Sequence, residues 1–174
     1  MPIFKPRAIF NRITDITPEY LIAMGIKGVA LDADNTLSAH HSQTPLCGVT
    51  DWLQSARAAG LRLIMVSNAR RERIEPFADK LGLDYISLAC KPLPLGFIRA
   101  ARAMGIKRRN MAAIGDQIFT DMMGARLAGV VPLLVTPYKP ESGRSFHIRR
   151  RLERPLIEKY DKQGLRFQPQ KKER

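Results

Sequence analysis

The sequence predicts an α/β fold, a three-layer Rossmann-like arrangement in which a parallel sheet carries helices on both faces. Short apolar segments alternate with amphipathic segments of about 10 to 15 residues, the pattern that β-α-β units leave in a sequence. Polar clusters follow directly after several apolar segments, where parallel sheets bind their ligands. A chain of 174 residues, 45% of them hydrophobic, is long enough to bury one such core.

The elements are predicted in order from capping residues and apolar periodicity. After an irregular start, Thr17-Pro18-Glu19 has the N-cap and first-turn proline of a short helix that Gly25 ends. Aliphatic and β-branched runs predict five strands, at residues 27–33, 61–66, 85–88, 111–114 and 130–135. Apolar faces ending at or near glycine predict four further helices between them, at residues 44–59, 70–81, 94–104 and 119–128.

The net charge of +13 is unevenly distributed along the chain. Residues 137–174 contain 12 Lys and Arg against 5 Asp and Glu, and the acids at Glu153, Glu158 and Asp161 indicate a charged helix over residues 145–162. We therefore predict a domain at residues 1–138, with a short helical lead-in, and a basic extension at 139–174, partly helical, with a disordered end. Such an extension attracts nucleic acid or an anionic membrane surface, and a solvated extension is the alternative.

Composition excludes several classes of protein. The longest uncharged apolar stretch, residues 127–138, has 12 residues and two prolines, whereas a membrane span needs about 20 residues. No apolar segment follows the basic residues near the amino terminus, so no secretory signal is expected and we predict a cytoplasmic protein. Cys47 and Cys90 have neither a zinc-site nor a disulfide spacing.

Asp32 and Asp34 follow the apolar run at residues 28–31. Two residues apart in an extended segment, their side chains project to the same side. Carboxylates at the end of a buried strand need a cation or hydrogen bonds to replace lost hydration. A hard cation bound through oxygen, Mg²⁺ first among them, meets that need. An acidic turn after a strand is the alternative.

Three further polar clusters follow other predicted strands. Ser67-Asn68 comes after the second strand, Lys91 lies between the third strand and the next helix, and Asp116 and Asp121 follow the fourth strand. Each cluster alone has an ordinary explanation, as a helix cap or a surface lysine. Their common position at strand ends favours a single site instead.

The chain resembles the haloacid dehalogenase-like (HAD) superfamily in four motifs. In order they are Asp32-Ala33-Asp34-Asn35-Thr36-Leu37, Val66-Ser67-Asn68, Cys90-Lys91-Pro92 and Gly115-Asp116-Gln117-Ile118-Phe119-Thr120-Asp121. The resemblance extends over residues 27–135 and is closer to the capless subclass III phosphatases of the YqeG-like family. It implies a HAD-like fold without a cap domain. The gaps between the first three motifs leave no room for a cap, since they hold only single helices, a loop and one short strand.

The resemblance implies a phosphatase that depends on Mg²⁺. Asp32 corresponds to the nucleophile, which forms an aspartyl-phosphate, and Asp34 to the general acid that later serves as the base. The implied metal ligands are Asp32, the backbone carbonyl of Asp34, and Asp116. Ser67 and Lys91 are expected to bind the phosphoryl oxygens.

Three positions have auxiliary roles by the same resemblance. Asp121 is expected to orient Lys91 or a metal-bound water, and direct metal ligation is its alternative. Asn68 and Thr36 are expected to shape the loop and donate to the substrate phosphate.

Three substrate classes remain open at this stage. An uncapped site admits a large substrate, and the first is phosphatidylglycerophosphate at an anionic membrane surface, which implies peripheral association at its inner face. Aliphatic and aromatic residues near the amino terminus could then enter the interface, with core packing as their alternative: Ile3, Phe4, Ile9, Phe10 and Ile13. The second class is nucleotides or other small monoesters. The third is an RNA-associated role for the basic tail, which its few aromatic residues support only weakly.

Overall fold

The computed structural model describes residues 3–139 and 144–167. Six strands form its sheet: β1 (Ala8–Phe10), β2 (Gly28–Leu31), β3 (Arg62–Val66), β4 (Asp84–Ile86), β5 (Met111–Gly115) and β6 (Val131–Val135). They lie in the order β1-β6-β5-β2-β3-β4, and every neighbouring pair is parallel. The predicted α/β class is confirmed.

Helices cover both faces of the sheet and complete three layers. They are α1 (Pro18–Ala23), α2 (Val49–Ala58), α3 (Arg71–Leu81), α4 (Leu95–Ala103), α5 (Met123–Ala128) and α6 (Arg144–Lys162). Val29 and Leu31 of β2 pack in one core with residues of α1, α2 and α3. Ala30, between them, faces a second core formed with α4 and α5. This alternation follows from the period of two residues in a strand.

The predicted irregular start is wrong at residues 8–10, which form β1 and pair with β6. Ile9, Phe10 and Ile13 are buried, and the Phe4 ring lies 5.3 Å from that of Phe119. These side chains therefore pack against the protein, the alternative to insertion into a membrane interface. Three residues are too few for a strand to show a period, and the partner of β1 lies more than 120 residues away in sequence.

Two predicted helices have different bounds in the structure. The helix expected from residue 44 begins at Val49, since Gly48 adopts a left-handed conformation with φ of 80°. The helix expected from residue 119 is split into a π-helical turn, Ile118–Met122, and the short α5. The π-helical turn is the segment that carries Asp121 into the site.

The order in which the chain adds strands to the sheet reverses between β2 and β5. From β2 the chain proceeds outward through β3 and β4, and it then returns to β5 on the other side of β2. Ligands of open parallel sheets bind at such a switch point. Asp32 and Asp116 directly follow these two strands. Between them residues 33–115 hold loops, helices and strands of this one domain, so the prediction of a fold without a cap is confirmed.

The described part of the basic extension packs against the domain through α6. Tyr160, Leu156 and Ile157 join Ile118 and Met122 in a third apolar cluster. The division of the chain at residue 138 stays a prediction, and the predicted disorder concerns residues 168–174, which lie outside the described residues. No helix within the described ranges is long and apolar enough to cross a bilayer.

Candidate active site

Three carboxylates meet at the carboxyl ends of β2 and β5, and two of them, those of Asp116 and Asp121, are buried. One oxygen each from Asp32, Asp116 and Asp121 lies within 4.8 Å of the others. The Asp32 amide donates to the Ile114 carbonyl at 2.9 Å, which joins this loop to β5. Gly115 is needed for the approach of Asp121, because a Cβ there would lie 2.4 Å from the Asp121 carboxyl carbon.

Lys91 lies beside two of these carboxylates. Its Nζ donates to Asp32 Oδ1 at 2.5 Å and to Asp121 Oδ1 at 2.6 Å. The Asn68 side chain fixes the Lys91 backbone, donating to its carbonyl at 3.0 Å and accepting from its amide at 2.7 Å. These two hydrogen bonds join the segment after β3 to the segment after β4, and so connect two of the motifs.

The electrostatics of the cluster are dominated by burial. Burial raises the pKa of Asp32 to about 7, although Lys91 acts in the opposite direction. It also raises the pKa of Asp116 well above its ordinary value, against the influence of Arg150. Although burial lowers the pKa of Lys91, Asp121 and Asp32 together raise it above its usual range. The Lys91 ammonium is therefore charged at neutral pH. For Asp32 and Asp116, in contrast, the effect of burial on the pKa exceeds that of the neighbouring cations.

Asp34 lies outside this cluster and has its own partners. Its Oδ1 accepts from the His41 amide at 2.8 Å, and an ion pair with Arg73 reaches the same oxygen. His40 Nδ1 lies 3.6 Å away. The side chain is thereby held by the loop that follows the first motif and by α3.

A cavity of about 280 Å³ opens over the site. It brings together five of the predicted site residues, namely Asp32, Asp34, Ser67, Asn68 and Lys91. Asp116 and Asp121 are buried beside Asp32. The remaining lining residues include His40, His41, Arg73, Gln117, Thr120 and Arg149.

Thr36 is not brought to this cavity. It is buried and lines a neighbouring cavity with Asn35 and Tyr138 instead. The Thr36 hydroxyl has no hydrogen-bond partner among the described residues.

Arg150 and Glu153 of α6 contact the site although the sequence did not predict them. Arg150 forms an ion pair with Asp116 and donates to its backbone carbonyl at 2.8 Å. Glu153, fully buried at 0% exposure, accepts from Arg150 at 3.0 Å and from the Phe119 amide at 3.1 Å. The basic extension thus supplies part of the support for the acidic cluster.

One sequence signal could have identified Glu153. It lies three, four and seven residues before Leu156, Ile157 and Tyr160, on the face of α6 that is apolar. A lone acid on such a face indicates a buried partner.

The cluster has the properties of a divalent-cation site. Asp116 Oδ1 is buried and has no hydrogen-bond partner among the described residues. In the ion pairs of the described residues, two cations, Lys91 and Arg150, serve four carboxyl groups, those of Asp32, Asp116, Asp121 and Glu153. The cluster therefore carries excess negative charge when all four carboxyl groups are ionised. Oxygen ligands with that excess charge suit Mg²⁺.

A family model described as haloacid dehalogenase-like hydrolase matches residues 38–129, more than half of the chain. The chain belongs to the haloacid dehalogenase-like hydrolase family. The predicted family and the prediction of an enzyme are confirmed.

Curated HAD relatives include two named as phosphatases. The probable phosphatase YqeG of Bacillus subtilis (strain 168) is 31% identical over 161 residues, which cover 92% of this chain and 94% of that protein. A phosphoglycolate phosphatase of Thiobacillus denitrificans is 32% identical over 113 residues, 60% of this chain but only 48% of that protein.

Solved HAD structures share the fold. A HAD family hydrolase from Deinococcus radiodurans R1, with bound phosphate and sodium, has a TM-score of 0.59 at 16% identity. The likeness covers 78% of this chain and 96% of that chain. The D,D-heptose 1,7-bisphosphate phosphatase of B. bronchiseptica, complexed with magnesium and phosphate, has a TM-score of 0.53 at 20% identity, covering 63% and 80% of the two chains. These similarities support the fold alone.

Proposed function

We propose that this protein is a Mg²⁺-dependent phosphomonoester hydrolase that works through an aspartyl-phosphate on Asp32 and acts on a large or lipid-borne substrate. The coarse class, a HAD-type phosphatase, follows from the family and from relatives named as phosphatases. The metal, the covalent intermediate and the substrate are the parts proposed here.

The observation that carries the proposal is the ion pair between Lys91 and Asp32 inside a cluster of acidic side chains. A phosphate dianion approaching Asp32 is repelled unless positive charge is present. The Lys91 ammonium, 2.5 Å from Asp32 Oδ1, supplies one such charge. Asp121 at 2.6 Å holds that ammonium from the other side, which makes Asp121 a positioning residue for Lys91.

The residues support a reaction in two steps. In the first, an Asp32 oxygen forms a bond to phosphorus while the ester P–O bond breaks, and Asp34 gives its proton to the leaving oxygen. In the second, Asp34 takes a proton from water and the hydroxyl oxygen bonds to phosphorus. The bond between phosphorus and the Asp32 oxygen breaks, which frees the Asp32 carboxylate and releases inorganic phosphate. Ser67 and Lys91 contact the equatorial oxygens, whose charge is spread in the transition state.

Asp32, Asp116 and the backbone carbonyl of Asp34 would hold Mg²⁺. Arg150 already occupies Asp116 Oδ2, whereas Asp116 Oδ1 is the unpartnered atom and therefore the ligand we assign. When bound, the ion would neutralise the excess negative charge and stabilise the phosphoryl oxygens.

The open cavity favours a large substrate. No cap covers the cavity within the described residues, and its walls carry the cations Arg73 and Arg149. Phosphatidylglycerophosphate, whose second phosphate would meet these cations, is our first candidate. This substrate implies a cytoplasmic enzyme in peripheral contact with the inner face of the membrane.

A soluble small-monoester phosphatase is the second candidate function. The relatives named phosphoglycolate phosphatases favour it, although the likeness spans only part of their length. Parallel phosphate-release assays with lipid, nucleotide and sugar monoesters and with phosphoglycolate decide between the two. A kcat/KM at least about tenfold higher for the lipid, equal to about 1.4 kcal/mol, supports the first candidate. A preference for phosphoglycolate contradicts it.

The chemistry is tested first with Asp32→Asn and p-nitrophenyl phosphate. We expect the variant to retain less than about a thousandth of the rate, because a covalent nucleophile is lost. Wild-type turnover should require Mg²⁺ and stop in chelator.

Asp79→Asn is the matched control, since Asp79 is an exposed carboxylate on α3. It should keep wild-type activity. Full activity of Asp32→Asn, or wild-type turnover that persists in chelator, contradicts the mechanism.

A further inference from the structure

Two adjoining cavities form a groove at the end of the sheet where the strands begin, that is, at their amino-terminal ends. Their volumes are about 700 and 720 Å³, and both are lined by Arg109, Arg126 and Gly129. Seven cations line the two cavities, and we call the surface that they define the basic groove: Lys5, Arg7, Arg102, Lys107, Arg108, Arg109 and Arg126.

The charge of the basic groove is not compensated by acids. No acidic residue lines either cavity within the described ranges. The exposed cations Arg102, Lys107, Arg108 and Arg109 form no ion pair with any residue that the structure describes. Repulsion among them is therefore retained in the folded protein, and it is relieved when an anion binds.

Arg126 shows that this repulsion acts within the groove. Burial and the nearby Arg7 lower the pKa of Arg126. Its Nε donates to the Lys5 carbonyl at 2.9 Å, which holds the guanidinium at the point where the two cavities meet. The groove is thus a shallow surface feature with a positive charge held at its centre.

The shape and composition of the groove indicate its ligand. Its apolar walls are aliphatic, from Ile98, Ile106 and Leu127, and no described aromatic residue lines it, so a nucleic acid would be held there through its phosphates and not by stacked bases. Repeated phosphates along a chain match a row of cations, and such contacts fix a strand without reading its sequence.

A membrane surface fits the groove less well than a strand. The groove lies at the strand starts and the catalytic cavity at the strand ends, about 15 Å apart along a five-residue strand. A membrane bound at the groove would therefore face away from the catalytic cavity.

We propose that the basic groove binds the phosphate backbone of a nucleic acid, independently of sequence and of the hydrolytic site. The proposal does not rest on the proposed substrate.

The test compares two double charge reversals in the full-length protein. Arg108→Glu/Arg109→Glu alters the groove, and Arg151→Glu/Lys159→Glu changes two exposed cations of α6 by the same net charge. Binding of a fluorescent, unstructured single-stranded RNA is followed by anisotropy at several salt concentrations. The groove variant should bind at least about tenfold more weakly. The slope of log K against log salt concentration should fall by roughly 1.4, which is about 0.7 for each phosphate contact with a single strand.

The α6 variant should change RNA affinity by less than about threefold. Circular dichroism and phosphatase activity of the groove variant should match those of the wild type, because the catalytic cavity is separate. A milder Arg108→Gln/Arg109→Gln variant, with a smaller loss expected, replaces the charge reversal if that variant misfolds. Equal losses in both variants, absence of wild-type RNA binding, or binding only to phosphatidylglycerol vesicles would overturn the proposal.

Discussion

Asp32 and Asp34 carry the same functional group two residues apart, and their surroundings differ in a way that fits the two roles proposed for them. Asp32 lies against Lys91 and among buried carboxylates, a position suited to a nucleophile that receives a phosphoryl group. Asp34 is turned toward Arg73 and the His41 amide at the cavity wall. A carboxyl there can reach the leaving oxygen without competing for phosphorus.

This difference predicts the behaviour of Asp34→Asn. With alkyl phosphates, whose leaving oxygen needs a proton, we expect turnover to fall by about 10²- to 10⁴-fold. With p-nitrophenyl phosphate the first step should survive, because p-nitrophenolate leaves without protonation. Rapid mixing should then show a burst of about one p-nitrophenolate per enzyme before slow turnover.

Asp32→Asn serves as the control, since it should show no burst with either substrate. Equal losses of Asp34→Asn on alkyl and aryl esters, without a burst, would remove Asp34 from the role of general acid.

The sequence predicted the site residues that lie in local motifs, and it missed those that reach the site from a distant segment of the chain. Asp32, Ser67, Lys91 and Asp116 each directly follow a strand or lie in a short strand-to-helix connection, so their convergence follows from parallel topology. Arg150 reaches Asp116 from a helix 34 residues away in sequence. The register of that helix on the domain depends on packing, which no local pattern records.

At the scale of elements, periodicity predicted the four interior strands of the sheet better than the two edge strands. The edge strand β1 has three residues and pairs only with β6 in the sheet, so its existence depends on a contact that is distant in sequence. The helix expected over residues 119–128 contains a π-helical turn, and this turn carries Asp121, whose carboxyl group lies close to Gly115. π-Helical turns are frequent at functional sites.

Helix α6 gives a prediction at the same scale, through Arg150→Met. The substitution leaves Asp116 and Glu153, both buried, without their shared cation. Breaking a buried ion pair in this way costs about 3–5 kcal/mol, so in chelator we expect Tm to fall by roughly 10 °C. Mg²⁺ should restore part of the loss, since ligand binding stabilises the folded state.

Arg154→Met on the same helix is the matched control. Its ion pair with Glu158 is exposed, with side-chain exposures of 80% and 56%, and such pairs contribute little. Differential scanning fluorimetry in chelator and in Mg²⁺ measures both variants. Equal Tm changes for the two would mean that Arg150 has no special relation to the acidic cluster.

At the scale of the whole molecule, the positive charge has two different uses. Several cations of the basic extension have acidic partners: Arg150 pairs with Asp116, Arg154 with Glu158, and Arg166 with Asp161. The exposed cations of the basic groove have none among the described residues. Net charge alone indicated the extension as the site of polyanion binding. The distribution of acidic partners favours the basic groove instead, at the end of the sheet where the strands begin.

The acidic cluster also makes stability depend on pH. In the unfolded chain Asp32 and Asp116 titrate near the ordinary value of 3.8, whereas burial raises the pKa of Asp32 to about 7 and that of Asp116 well above its ordinary value. Between these values the folded state binds protons that the unfolded state has released. The free energy of unfolding of the metal-free protein should therefore decrease as pH rises from about 4 to about 7.

Mg²⁺ should reverse this dependence, because it binds the ionised carboxylates and competes with their protons. The difference between Tm in Mg²⁺ and Tm in chelator is therefore expected to widen from about pH 5 to about pH 8. Asp116→Asn, which removes one proposed ligand, should reduce the difference at every pH. A Tm difference that is independent of pH, or unchanged in Asp116→Asn, would mean that the ion binds elsewhere and that Asp32 and Asp116 do not form its site.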